Sequence, residues 1–233
     1  MAVTMLLNEV SLCDYQITTF VTGGAWKENC YLVRHVDTCE LALIDPGEDD
    51  GRIIEAVQNR GNMLRYILLT HAHHDHVGGV ASLARKFGIP CHVHPNDVRL
   101  LHHAPMYAWR FAQKRIEAPK PYIAHSDQAD LQLGKRLLSV IHTPGHTSGS
   151  VCYVIGGAVF TGDTLLFQHV GRVGLPGADA QLMKESISCL ICQLPPETVI
   201  LPGHGRSWTM GEAQQWWQSV AIDAVPQYSE PLA

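Results

Sequence analysis

Thr70-His71-Ala72-His73-His74-Asp75-His76 places five potential metal ligands in the six residues from 71 to 76. An apolar stretch from Tyr66 to Leu69 reads as a strand that ends at this cluster, and Gly78 to Phe87 reads as a helix stopped by Gly88-Ile89-Pro90. Residues two apart diverge on a helix and residues one apart diverge on a strand. Neither would turn His71, His73, Asp75 and His76 to one point, so the segment is expected to be a tight loop wrapped around something. Gly78 and Gly79 would let the chain turn back out of it. Three more ligand-type residues follow, each in a turn after an apolar strand: His146 in HTPGHTSGS, Asp163 in FTGDT and His204 in LPGHG. Turns at strand ends are where sites are built on rigid scaffolds. Five His and two Asp suit one or two borderline divalent ions such as zinc, and a carboxylate can bridge a pair about 3.5 to 4 Å apart.

Outward from the cluster, YQITTFV, NCYLVRHV and CELALID read as strands separated by turn-like GGAWKE and DT, an antiparallel meander. After Asp45-Pro46-Gly47, the run from Asp50 to Asn59 sets Ile53, Ile54, Ala56 and Val57 on one helical face. Strands return at Leu137 to Ile141, Val151 to Ile155 and Ala158 to Phe160, with Gly156-Gly157 as a turn. A helix from Ala180 to Cys192, a strand Val199 to Leu201 and a helix Gly211 to Val220 complete the pattern. Strands, then helix, then strand in each half predict two mixed sheets packed face to face with helices outside. No composition break divides the chain, so residues 1–233 are expected to form a single domain.

Composition supports a chain that buries a full core: 46% hydrophobic against 17% charged residues, with Gly and Pro scattered. No apolar run approaches the roughly 18 residues of a membrane span, and MAVTMLLNEV has no signal-peptide pattern, so a cytoplasmic location without membrane association is expected. A net charge of −5 gives no nucleic-acid face. Seven Cys, an odd number, fit neither a disulfide framework nor a zinc knuckle. The anomaly is 14 His, which points to metal.

HAHHDH followed by His146, Asp163 and His204 resembles the metallo-β-lactamase superfamily, whose fold is α+β, an αββα sandwich of two mixed β-sheets flanked by helices. Within it, LLTHAHHDHVGG, IHTPGHTSGSVCYV, VFTGDTLLF with GRVGLPG, ILPGHG, ENCYLV and ALIDPG resemble the glyoxalase II (hydroxyacylglutathione hydrolase)-like group over about residues 16 to 210. The resemblance implies that His71, His73 and His146 hold one metal, Asp75, His76 and His204 the second, and that Asp163 bridges both. It implies two divalent ions, zinc in the first instance with iron or manganese as substitutes. Two cations sharing a water make it a nucleophile near neutral pH and polarise a substrate carbonyl, so no Ser or Cys nucleophile is needed. Asp75 would also orient that nucleophile, a catalytic role the superfamily suggests.

The remaining His read as surface or supporting residues, His74 as a loop spacer, Asp45 as a turn or hydrogen-bonding residue and Cys152 as core. Full-length glyoxalase II enzymes carry a C-terminal helical domain that contributes to the glutathione site, whereas 29 residues follow His204, so the resemblance is to a short form. Residues 99 to 120 carry +4 against −9 for the rest of the chain. This segment reads either as a solvated loop or as a substrate cover, in which Arg110, Lys114 and Arg115 meet an anionic carrier and Tyr107, with Trp109 and Phe111, walls an acyl chain. Arg172 in GRVGLPG is a further candidate contact. The expected activity is thioester hydrolysis of glyoxalase II type. Alternatives are hydrolysis of acyl carrier protein or acyl-CoA thioesters in polyketide-type biosynthesis, lactone hydrolysis, and a persulfide dioxygenase with one iron at His71, His146 and Asp163. The partner is a small-molecule or carrier-bound acyl thioester, with an acyl carrier protein among the options.

Overall fold

Tyr31, Val33, Ala42 and Ile44 point to one face of their sheet while Cys30, Leu32, Leu41 and Leu43 point to the other, and all eight are buried. A strand reads as an unbroken apolar run when both of its faces are covered, and these two strands are covered by a second sheet on one side and helices on the other. The computed structural model describes residues 8–59, 61–126 and 131–220. The first sheet runs in chain order: β1 (Asn8–Leu12), β2 (Tyr15–Thr22), β3 (Glu28–His35), β4 (Glu40–Ile44), β5 (Met63–Leu68), β6 (Cys91–Val93) and β7 (Tyr122–Ala124). Its first four strands pair antiparallel and its last four parallel. The parallel crossovers pass through α1 (Gly51–Gln58), through α2 (His74–Val77) with α3 (Val80–Phe87), and through α4 (Val98–Ala112).

The second sheet comprises β8 (Leu131–Leu133), β9 (Arg136–His142), β10 (Val151–Ile155), β11 (Ala158–Gly162), β12 (Val199–Pro202) and β13 (Trp208–Thr209), with order β13-β12-β11-β10-β9-β8. Here α5 (Ala180–Gln193) forms the parallel crossover from β11 to β12, and α6 (Met210–Ser219) follows β13. One apolar cluster, including Tyr15, Val33, Ile44, Tyr153 and Phe160, fills the space between the sheets. A second lies under α1, α3 and α4, and a third under α5 and α6, where Trp216 and Trp217 pack as expected. Burying each large side chain of this kind contributes about 1.5–3 kcal/mol. The architecture is the expected sandwich of two mixed sheets flanked by helices.

Two local readings change. Residues 98–112 form a helix rather than a loop, burying Leu101, Ala104 and Ala108 although Pro105 lies inside it. The histidine segment is not loop throughout either, since residues 74–77 close one helical turn. All seven Cys are free thiols; Cys189 and Cys192, a Cys-x-x-Cys spacing, are exposed on α5. No helix among the described residues is long and apolar enough to cross a membrane.

Candidate metal centre

The C-terminal ends of β4, β5, β9, β11 and β12 open onto one edge of the sandwich, and their loops deliver Asp45, the histidine segment, His146, Asp163 and His204. The segment solves the divergence problem by dividing. His71 and His73 precede the helical turn, which then carries Asp75 and His76. The two pairs serve different groups. One ligand atom each from His71, His73 and His146 lie within 4.8 Å of one another, and the same holds for Asp75, His76 and His204.

Asp163, 3% exposed, stands between the groups. Its Oδ2 is 3.5 Å from His146 Nε2 in the first, while its Oδ1 is 3.5 Å from His76 Nε2 and 3.7 Å from His204 Nε2 in the second. All seven residues expected from the sequence are therefore in one place.

The ring orientations follow from hydrogen bonds at the opposite nitrogens. His146 Nδ1 donates to the Arg172 carbonyl at 2.9 Å, His204 Nδ1 to the Trp26 carbonyl at 3.0 Å and His76 Nδ1 to Asp45 Oδ2 at 3.0 Å. Thr70 Oγ1 gives its proton to Asp45 Oδ2 at 2.5 Å and so accepts from His71 Nδ1 at 3.1 Å. Each of these four rings presents Nε2 to the centre, and a fixed Nδ1 partner is the arrangement that orients ligating imidazoles. His71 Nε2, Asp75 Oδ2 and Asp163 Oδ1 are buried without a hydrogen bond. Buried polar atoms facing inward without partners are costly, and a divalent cation satisfies them. Asp45 also falls within reach of His71 and His76, but its oxygens are occupied by the Thr70 amide and hydroxyl and by His76, so it orients rather than ligates.

Burial holds His71, His73 and His146 below the ordinary imidazole pKa, keeping them neutral as ligands must be. At His76 and His204 burial acts in the same sense but is overruled by neighbouring carboxylates, chiefly those of Asp75 and Asp163. His76 rises well above its usual value and His204 to about 9. Burial would raise Asp75, yet His76 and His204 hold it well below the usual carboxylate range.

Beside the centre lies a cavity of about 510 Å³ lined by Trp26, His74, Asp75, Ala108 and Ile116 among others. His74, read from sequence as a spacer, has its ring edge-on to Trp26 at 5.3 Å and stacked with Phe111 at 6.2 Å. Of the expected substrate contacts, Lys114 and Arg115 line the cavity, with Lys114 paired to Glu48 and Arg115 lying 5.7 Å over the Trp109 ring. Tyr107 stacks with Phe111 at 6.0 Å, Arg110 is exposed on α4, and Arg172 meets the centre through its backbone carbonyl. Trp26 was not anticipated; only its place in the turn-like GGAWKE signalled it.

The sequence profile of the metallo-beta-lactamase superfamily matches residues 23–204. Hydroxyacylglutathione hydrolase GloC of Haemophilus influenzae is 31% identical over 195 residues, 82% of this chain and 92% of that protein. Among solved structures, the BLEG-1 B3 metallo-beta-lactamase is 32% identical with a TM-score of 0.77, covering 85% of this chain and 96% of its own. TTHA1623, solved in a di-iron-bound form, is 36% identical with a TM-score of 0.74, covering 84% and 96%.

Proposed function

Because the chain belongs to the metallo-beta-lactamase superfamily, we propose that it is a dinuclear metal-dependent hydrolase acting on thioesters. The observation that carries this reading is Asp163, whose two oxygens face two separate donor groups. His71, His73 and His146 would hold one cation, Asp75, His76 and His204 the other, and Asp163 would bridge them. When bound, such a pair supplies a water acidic enough to attack near neutral pH and a Lewis acid for the substrate carbonyl.

The chain's own groups supply the rest. Asp75, a buried carboxylate with Oδ2 3.7 Å from His76 Nε2 and 3.3 Å from His204 Nε2, would accept a hydrogen bond from the attacking water and orient it. To hold a cation His76 and His204 would have to be neutral, against the carboxylates that favour their protonated forms. Thioesters are favoured by the likeness to a hydroxyacylglutathione hydrolase and by a cavity whose Trp26, Ala108 and Ile116 suit an acyl group. Met106, Trp109 and Phe111 lie exposed on α4 beside Arg110, a face suited to the carrier that brings the acyl group, an acyl carrier protein included.

Elemental analysis of purified protein coupled to a panel of acylglutathione, acyl-CoA, acyl carrier protein, lactone and β-lactam tests the reading. The expected result is about two ions per chain and fastest turnover of a thioester; a protein without metal, or one turning over only the β-lactam or lactone, overturns it. Zinc is the proposed metal. The di-iron form of TTHA1623 supports iron as the second reading of the metal pair, decided by the same elemental analysis.

A further inference from the structure

Two side chains outside the ligand set tie the donor loops to the scaffold, and they tie different loops. Asp97, 1% exposed, closes the 3₁₀ turn Pro95–Asp97 that leads into α4. Its Oδ2 accepts from the Ala72 amide at 2.9 Å and from Thr147 Oγ1 at 2.9 Å, and its Oδ1 accepts from the Gly149 amide at 2.8 Å. Ala72 separates His71 from His73, and Thr147 follows His146. One carboxylate thus clamps both loops that carry the first donor group. The approach is close enough that a β-carbon at position 149 would stand 2.7 Å from Asp97 Cβ.

Asn29, in β3, does the equivalent on the other side. Its Nδ2 donates to the Pro202 carbonyl at 3.0 Å and the Gly205 carbonyl at 2.9 Å, and its backbone amide donates to Gly203 at 2.7 Å. Those three carbonyls bracket His204.

We infer that Asp97 and Asn29 are positioning residues for separate halves of the centre, Asp97 for the His71, His73 and His146 group and Asn29 for the group that includes His204. The inference rests on the metal reading above and adds that the two ions can be lost independently. The hydrogen-bond inventory makes isosteric tests available. Three donors converge on Asp97, so Asp97→Asn turns an NH₂ toward at least one of them. Two acceptors converge on Asn29 Nδ2, so Asn29→Asp turns an oxygen toward both.

The experiment is stepwise cobalt(II) titration of the metal-free chain by calorimetry and visible absorption. In wild type two binding steps are expected. Asp97→Asn should weaken one step by about 10- to 100-fold, the range for groups that orient metal ligands, and Asn29→Asp the other. At a cobalt concentration that leaves the weakened site of Asp97→Asn empty, adding His146→Ala should leave metal content unchanged, while adding His204→Ala should remove the remaining ion. Thr147→Val, which deletes one bond to Asp97, should show the same selectivity more weakly and serves if Asp97→Asn does not fold. Equal weakening of both steps in either variant, or two unaltered steps, overturns the inference. A wild type that binds no cobalt overturns the metal reading instead.

Discussion

Gly203 lies against Asp163 so closely that a β-carbon at position 203 would stand 2.4 Å from Asp163 Oδ1 and 2.8 Å from His76 Cε1. The carboxylate reaches His76 and His204 because that position has no side chain. Gly203→Ala is expected to displace Asp163, bring metal content below two ions per chain and cut kcat by about tenfold or more. Gly51→Ala, where a β-carbon meets nothing within 4 Å, should leave both unchanged. Elemental analysis and kinetics on the pair check this, and a full metal complement in Gly203→Ala would refute it.

Chelation should lower Tm. A ligand at 100-fold its Kd stabilises the fold by about 2.7 kcal/mol, which for a chain of this size corresponds to roughly 5–10 °C. Asp163→Ala should have a low Tm that chelator moves much less. Thermal melts with and without chelator measure both, and a chelator-insensitive wild type would contradict the assignment.

Hydrolysis should proceed without a protein nucleophile. Cys152 is fully buried on β10, and burial pushes its thiol up to about 12, against hydrogen bonding to Thr143 and Thr164. Such a group is neither accessible nor ionised near neutral pH. Cys152→Ser is expected to retain kcat within about threefold; its loss with metals and fold intact, or a trapped acyl-enzyme, would reverse the conclusion.

Much of this centre was legible because its expected ligands fall in short turns whose flanking strands are apolar and long enough to show a pattern: β5 into the histidine segment, β9 into His146, β11 into Asp163 and β12 into His204. The positioning groups were harder to see. Asp97 and Asn29 act across 25 or more positions, through backbone amides and carbonyls that no residue type announces. The helix α4 was obscured by Pro105 and by its paired His102-His103, and its buried stripe is only Leu101, Ala104 and Ala108. Strands β6, β7, β8 and β13 have three residues or fewer, too few for a period of two to register.

Acid should weaken the fold through His92, away from the centre. It is 7% exposed, its Nδ1 lacks a hydrogen bond, and it faces the rings of Tyr66 and His125, the latter near Tyr153. Burial, then His125, pushes its pKa down to about 4. An unfolded His titrates near 6.5, so as pH falls from about 6.5 toward 4 the unfolded chain takes up the proton first and stability declines; above 6.5 the group contributes no slope. His92→Phe should flatten this part of the Tm-against-pH curve of the chelated protein. Parallel curves for the two proteins would rule the effect out.

If the basic segment receives an anionic carrier, its contributors are now narrower than composition implied. Lys114 is committed to Glu48, which leaves Arg110 and Arg115 as the exposed charges nearest the aromatic face of α4. Reversing Arg110 and Arg115 should raise KM for a thioester on an acidic carrier several-fold and leave a small uncharged ester unaffected. The effect should shrink with salt, since screening sets in beyond about 8 Å at physiological ionic strength. Identical kinetics on acylglutathione, acyl-CoA and acyl carrier protein would remove this role.

Each donor group draws from both sheets: His71 and His73 follow β5 while His146 follows β9, and Asp75 and His76 follow β5 while His204 follows β12. Neither half of the chain can assemble even one complete set of ligands, and the last of them lies 133 positions beyond the first. Each of these two sets is therefore complete only where the two sheets pack against one another. A cation held there would fasten the two sheets at that edge, a rivet through two plates whose apolar faces already meet.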